Sequence, residues 1–291
     1  MKYFVSPGED RRLDMASRST LRGSFIKLSD GVTHYELSGP EGGDVVILVG
    51  GLTVPLFYWD RTVSMLHQAG LRTLAYSSYG RGYSDRMKRV SYDDALFVRQ
   101  LTELTKALKL GRYHVVGASM GALIAMGHAC QNVSAVTTLT VAGPAGLLQK
   151  PGALRWMRRS DILASFIAKK FGRRWLQSHE ANDLGDKTHA GELSSMLRDA
   201  FQYQGSIHAV FDTLQNFQLF DREKLYQSVF ETGVPSMLIW GQDDRVTPID
   251  KIDTARTLLR PQQCYVAECG HMVPFERPTL MAEKIESFVK S

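Results

Sequence analysis

The sequence predicts an α/β fold, in which a mainly parallel central sheet is flanked by helices and carries an inserted helical cap. Three observations predict it. Short apolar runs alternate with stretches of helical periodicity, as strands and crossover helices do. Several of those runs are continuously apolar, as strands buried on both faces are. The alternation stops at Gly143-Pro144 and resumes after Gly233.

The elements follow in order. "SFIKLS" and "VTHYELS" alternate in polarity and are joined by Asp30-Gly31, a hairpin signal. "DVVILVGG" reads as a doubly buried strand. Then come a helix in "YWDRTVSMLHQAG", a strand in "LRTLAYSS", and a helix in "YDDALFVRQLTELTKALKL". In that helix Leu96, Leu101, Leu104 and Leu108 recur at helical spacing, and Ser91 is the expected cap. A strand "YHVVGAS", a helix from Met120 to about Gln131 and a strand "AVTTLTVAG" follow. From Ala145 to Gly233 the pattern is mostly helical, with no convincing strand. That length is too great for a bare loop. "PSMLIWGQDD", a helix "DKIDTARTLLR", a strand "QCYVAEC" and a helix from Pro278 complete the chain. The expected division is a polar arm (1–21), a core (22–144 and 234–291) and a helical cap (145–233).

At 291 residues, 44% hydrophobic and 22% charged, the chain has the composition of a soluble globular protein. No apolar run approaches the roughly 20 residues that span a bilayer. "MKYFVSPGEDRRLDMASRS" has charges and a proline where a signal peptide needs an apolar stretch. It reads as a loosely held arm, and the protein as cytoplasmic. Cys130, Cys264 and Cys269 are odd in number and match no zinc spacing, so free thiols are expected. A net charge of +5 is mildly basic and demands no nucleic-acid partner. Oligomeric state is not encoded legibly.

The stretch "VVGASMGA" ends an apolar run at Gly117-Ala118-Ser119-Met120-Gly121. A strand that turns into a helix in so few residues strains one backbone position, and flanking glycines let the two elements approach. A serine that merely caps a helix needs no glycine on both sides. A serine hydroxyl is a poor nucleophile at neutral pH and requires a base and an orienting acid. Asp243-Asp244 follows one later strand and His271 follows another. Strand ends of a parallel sheet share one edge, so the three can meet there. Alone, Asp243-Asp244 is a solvated turn and His271 a structural histidine.

From about residue 22 onward the chain resembles the α/β-hydrolase superfamily, in the serine esterase and lipase-like form with a helical lid. "GASMG", "WGQDDRVTP" and "CGHMVPFERP" resemble its nucleophile elbow, acid loop and histidine loop, and "YGRGYSDR" its Gly-x-Gly-x-Ser segment. The resemblance implies Ser119 as nucleophile, Asp244 as acid by the pattern Gly-x-x-Asp, with Asp243 the fallback, and His271 as base. It implies an oxyanion hole from the N–H groups of Leu52 and Met120. Gly51, Thr53, Trp156 and Met272 are expected to touch substrate. The chain departs from the family at Gly50, where relatives often have histidine, and at Ser77-Ser78, where they often have aspartate. Gly50 leaves the oxyanion loop either more mobile or braced by other groups.

Serine at 119 argues against the aspartate-nucleophile chemistries of the fold. No nucleotide fingerprint is present and His179-Glu180 is not part of a His-Glu-x-x-His, so no metal or organic cofactor is implied. His34, His67, His114, His128, His189 and His208 carry no motif and read as structural or surface residues.

In the insertion, Trp156, Leu163, Ile167 and Phe171 fall roughly on one stripe, among Arg155, Arg158, Arg159, Lys169, Lys170, Arg173 and Arg174. One reading is a basic lid face that contacts anionic lipid or attracts an anionic substrate. The other, which the sequence favours, packs the stripe on the core and leaves the charges solvated. Phe201, Tyr203, Phe211, Phe217 and Phe220 either line a pocket or fill the lid. The expected partner is a small-molecule ester or acyl substrate, cleaved through an acyl-enzyme on Ser119: an ester, lactone or monoacylglycerol-like lipid. Alternatives are hydrolysis of a carbon–carbon bond in a ring-cleavage diketone and, in another class, a slow or non-catalytic ligand receptor on the same fold.

Overall fold

The computed structural model describes residues 1–152 and 160–291, with the backbone alone for 177–183. Trp156, Arg155, Arg158 and Arg159 lie outside the described residues. The elements in chain order are α1 (Met15–Arg18), β1 (Ser24–Lys27), β2 (Val32–Ser38), β3 (Val45–Val49), α2 (Asp60–Gln68), β4 (Arg72–Tyr76), α3 (Asp94–Ala107), β5 (Tyr113–Ala118), α4 (Met120–Gln131) and β6 (Val136–Ala142). There follow α5 (Asp161–Asp183), α6 (Ala190–Ala200), α7 (Ser206–Asn216), α8 (Glu223–Thr232), β7 (Ser236–Gly241), α9 (Ile252–Leu259), β8 (Gln263–Ala267), α10 (Val273–Glu276) and α11 (Pro278–Val289).

One eight-stranded sheet runs in the order β1-β2-β4-β3-β5-β6-β7-β8. The β1–β2 and β2–β4 pairs are antiparallel and the other five are parallel. The crossover at β3, β4 and β5 places β3 and β5 side by side, with Val49 opposite Gly117. This brings the loop after β3 beside the turn after β5. On β3, Ile47 and Val49 pack into one layer of the core and Val46 and Leu48 into the other, all fully buried. The continuous apolar run is therefore a strand covered on both faces. Leu96, Leu101 and Leu104 of α3, Leu123 of α4 and Leu259 of α9 cover one face. Leu66 of α2 and Ile285 and Phe288 of α11 cover the other. Tyr226 and Val229 of α8 join the first layer, where this helix packs against α4 and α9.

Three expectations change. The cap of α3 is Asp93, whose carboxylate accepts from the Leu96 N–H at 2.9 Å, and not Ser91. Asp93 immediately precedes the first helical residue, where a side-chain oxygen reaches N3. The N-terminal arm is tied down. Phe4 is buried, and the Met1 amine lies 2.5 Å from Asp212 Oδ2. Buried Glu9 accepts from the N–H groups of Ser6 (2.6 Å), Ile207 (2.7 Å) and Gly205 (3.2 Å). Burial pushes its carboxyl up despite those donors. Composition hid this, because the arm is polar in count while a few of its residues carry the attachment.

The third change concerns α5. Leu163 and Phe171 are exposed, not packed. The buried side is Ala164, Ala168 and Gly172, set against α7. A Cβ on Gly172 would come within 2.7 Å of Ile207 Cγ2 and 2.8 Å of Phe211 Cε2. The two helices approach too closely there for a larger side chain.

Candidate active site

Ser119 ends β5 and precedes α4 with φ 55° and ψ −120°. That region is sparsely populated for a residue with a Cβ, and such strain persists only where the surroundings enforce it. Here the surroundings are hydrogen bonds and close packing. The Ser119 N–H donates to the Ala142 carbonyl at 3.0 Å, and its own carbonyl accepts from Ala122 at 3.1 Å. A Cβ on Gly117 would sit 2.5 Å from the Gly121 carbonyl oxygen, and one on Gly121 would sit 2.2 Å from that of Val49. Both glycines are thus required by close approach. The Ser119 side chain makes no capping bond to α4, so the plain capping reading does not describe it.

Asp244 follows β7 and His271 follows β8. His271 Nδ1 lies 2.8 Å from Asp244 Oδ2, and both side chains are buried. Asp244 Oδ1 accepts from the N–H groups of Val246 (2.9 Å) and Thr247 (2.8 Å), and Oδ2 accepts from Thr247 Oγ1 (2.7 Å). These bonds fix the carboxylate. An Nδ1–H directed at it leaves His271 Nε2 as the proton acceptor. Asp243 is exposed and takes no part. Gly143, after β6, closes the back of the pair: a Cβ there would stand 3.2 Å from Asp244 Oδ2 and 3.5 Å from His271 Nδ1.

Ser119 and His271 line one small cleft together with Gly51, Thr53 and Met272. On its other side Ser119 borders a cavity of about 530 Å³, along with Leu52 and Met120. Its walls are mainly apolar: Leu148, Trp175, Leu214, Leu219 and Phe220. The three loops after β5, β7 and β8 therefore meet at one sheet edge, beside the loop after β3.

A fully buried cation holds that last loop. Arg81 Nε donates to the Leu52 carbonyl at 2.7 Å, Nη1 to the Tyr79 carbonyl at 2.9 Å and Nη2 to Thr213 Oγ1 at 2.9 Å. Burial pulls its pKa down to about 9. With Gly50 in place of histidine, the loop is braced by Arg81. The indole nitrogen of Trp59, buried without a hydrogen-bond partner, is 3.8 Å from where a Gly50 Cβ would be. At the second departure, Ser77 Oγ accepts from the Leu56 N–H at 3.1 Å and so holds the turn just beyond the same loop.

A family described as alpha/beta hydrolase fold matches residues 44–278. The chain belongs to the alpha/beta hydrolase family. This α/β-hydrolase is 25% identical over 286 residues to a 2-hydroxy-6-oxononadienedioate/2-hydroxy-6-oxononatrienedioate hydrolase of Paraburkholderia xenovorans, covering 93% of this chain and 94% of that one. It is 26% identical over 216 residues to the human monoacylglycerol lipase ABHD6, covering 70% of this chain and 64%, less than two thirds, of the lipase. An enol-lactonase from Burkholderia xenovorans superposes with a TM-score of 0.79 at 17% identity, over 92% of this chain and all of that one, a likeness of fold.

Of the five predicted aromatic residues that are described, Phe220 borders the large cavity, whereas Phe201, Tyr203, Phe211 and Phe217 are buried away from its described lining. Trp175 lines it, and sequence reasoning missed that residue along with Arg81, Gly143 and Thr247. Thr247 carried a legible signal, three residues after Asp244 in the acid loop. Arg81 lay inside a quoted motif but was indistinguishable from a surface arginine. Trp175 and Gly143 carried none.

Proposed function

We propose that this α/β-hydrolase is a serine hydrolase that cleaves a carboxylic ester through an acyl-enzyme on Ser119. One observation carries the reading: a strained, non-capping Ser119 shares a cleft with His271, whose other ring nitrogen is bonded to buried Asp244. In it, His271 Nε2 takes the Ser119 proton as Oγ attacks the carbonyl carbon. The Leu52 and Met120 N–H groups receive the oxyanion. His271 then gives the proton to the leaving alkoxide and afterwards deprotonates the water that attacks the acyl group, regenerating Ser119. Asp244 holds the tautomer and stabilises the imidazolium. The mainly apolar walls suit an acyl chain, lactone or aromatic ester.

The relatives' names include a lipase, and the matching dienedioate hydrolase keeps the carbon–carbon reading in view. Two measurements separate the readings. A fluorophosphonate should label the protein, and Ser119→Ala should abolish labelling while the substitution of exposed Ser291 keeps it. Folded protein that stays unlabelled overturns the serine mechanism and leaves the receptor reading. Turnover of nitrophenyl esters and lactones, against consumption of a ring-cleavage diketone, then decides between ester and carbon–carbon hydrolysis.

A further inference from the structure

We propose that the outer face of α5 is a docking surface for an anionic lipid membrane. Among the described residues eight large apolar side chains are exposed, and four of them, Ile162, Leu163, Phe166 and Phe171, fall within residues 162–171. Ile162 is 66% and Phe166 61% exposed. Scattered exposed apolar residues are ordinary, whereas a cluster marks a contact surface. These side chains do not hold α5 in place, because Ala164, Ala168 and Gly172 do that from the opposite side.

Cations continue the same face. Ile162, Phe166, Lys169, Lys170 and Arg174 succeed one another at helical spacing, and all are exposed. Lys170 Nζ lies 5.3 Å from the centre of the Phe171 ring. Asp161 is the one carboxylate in residues 161–176; it is exposed at the start of the helix, and its Oδ1 accepts from Gln215 Nε2 at 2.8 Å. An apolar strip bordered by lysine and arginine, with Asp161 at its start as the single carboxylate of that stretch, is complementary to anionic headgroups over acyl chains. A second copy of the chain is the poorer occupant, since a two-fold contact would set like charges against each other. No helix among the described residues is long and apolar enough to cross a membrane, so α5 lies on the surface. The same helix presents Trp175 to the cavity beside Ser119, which joins the docking face to the place where an apolar substrate would go.

Vesicle co-sedimentation of the full chain tests this. The wild type should bind phosphatidylglycerol vesicles and bind phosphatidylcholine vesicles far more weakly. Lys169→Glu with Lys170→Glu, and separately Ile162→Ser with Phe166→Ser, should each lower phosphatidylglycerol binding about tenfold. Far-UV circular dichroism and the urea unfolding midpoint should be unchanged in both variants, showing an intact fold. Absence of binding by folded wild type overturns the proposal, as does binding that neither pair of substitutions reduces. A dimer in solution that Ile162→Ser with Phe166→Ser converts to monomer, with vesicle binding intact, assigns the face to self-association and also overturns it. The vesicle result does not depend on the hydrolase reading: a wild type that binds vesicles and hydrolyses no ester refutes that reading alone.

Discussion

Asp243 and Asp244 are neighbours of the same chemistry, and only their geometry separates them. Asp244 is bonded to His271, Val246 and Thr247, whereas Asp243 is exposed. Asp244→Asn should lower kcat about 10⁴-fold, because the amide presents the wrong partner to the imidazole, and Asp243→Asn should leave it within about twofold. Ester hydrolysis with both variants checks this; equal losses would remove Asp244 from its role. The family pattern Gly-x-x-Asp pointed to the carboxylate that the structure sets beside His271. Arg81 was not legible, since a buried and an exposed arginine look alike in one sequence. Its bond to the Leu52 carbonyl predicts that Arg81→Met lowers kcat about 10²-fold with KM little changed, by displacing the loop whose N–H is proposed to receive the oxyanion. It should also cost about 1–3 kcal/mol of stability, read by denaturant unfolding, from the acceptors left unpaired. Arg81→Lys, able to reach only some of those acceptors, should restore part of the rate.

Elements were readable in proportion to how far the sheet dictated them. β3, β5 and α4 stand where their apolar runs place them, because a strand buried on both faces tolerates almost no polar residue. α5 was misread in its facing, since large apolar residues were assumed to turn inward. Its inward side uses small residues instead, because α7 lies so close. That contact predicts that Gly172→Val destabilises the protein by about 1–3 kcal/mol through overpacking, while Phe171→Ser, on an exposed site, costs less than about 0.5 kcal/mol. Urea unfolding of the two variants is the measurement. A greater loss for Phe171→Ser would restore the stripe reading of the sequence.

For the whole molecule the buried histidines set the response to acid. His34 and His128 are held by uncharged partners, His34 by the Arg22 carbonyl at 2.8 Å and His128 by Tyr113 Oη at 2.8 Å and Thr102 Oγ1 at 2.9 Å. Burial lowers each pKa from 6.5 to about 4. The unfolded chain therefore binds protons that the folded chain refuses between about pH 6.5 and about pH 4. Stability falls with pH across that window, by up to about 3 kcal/mol for each histidine. Glu9 acts in the opposite direction, since its raised carboxyl pKa lets the folded state take up a proton as pH drops, but it is one group against His34, His128 and three further histidines, His67, His114 and His208, whose pKa burial also lowers. Urea midpoints between neutral pH and about pH 4 should therefore decline, with a slope near 1.4 kcal/mol per pH unit for each histidine titrating. His128→Gln keeps an amide that can donate to or accept from Tyr113 and removes one titration, so its decline should be shallower by about that amount. An acid limb unchanged by His128→Gln would mean that this imidazole already accepts its proton in the folded protein.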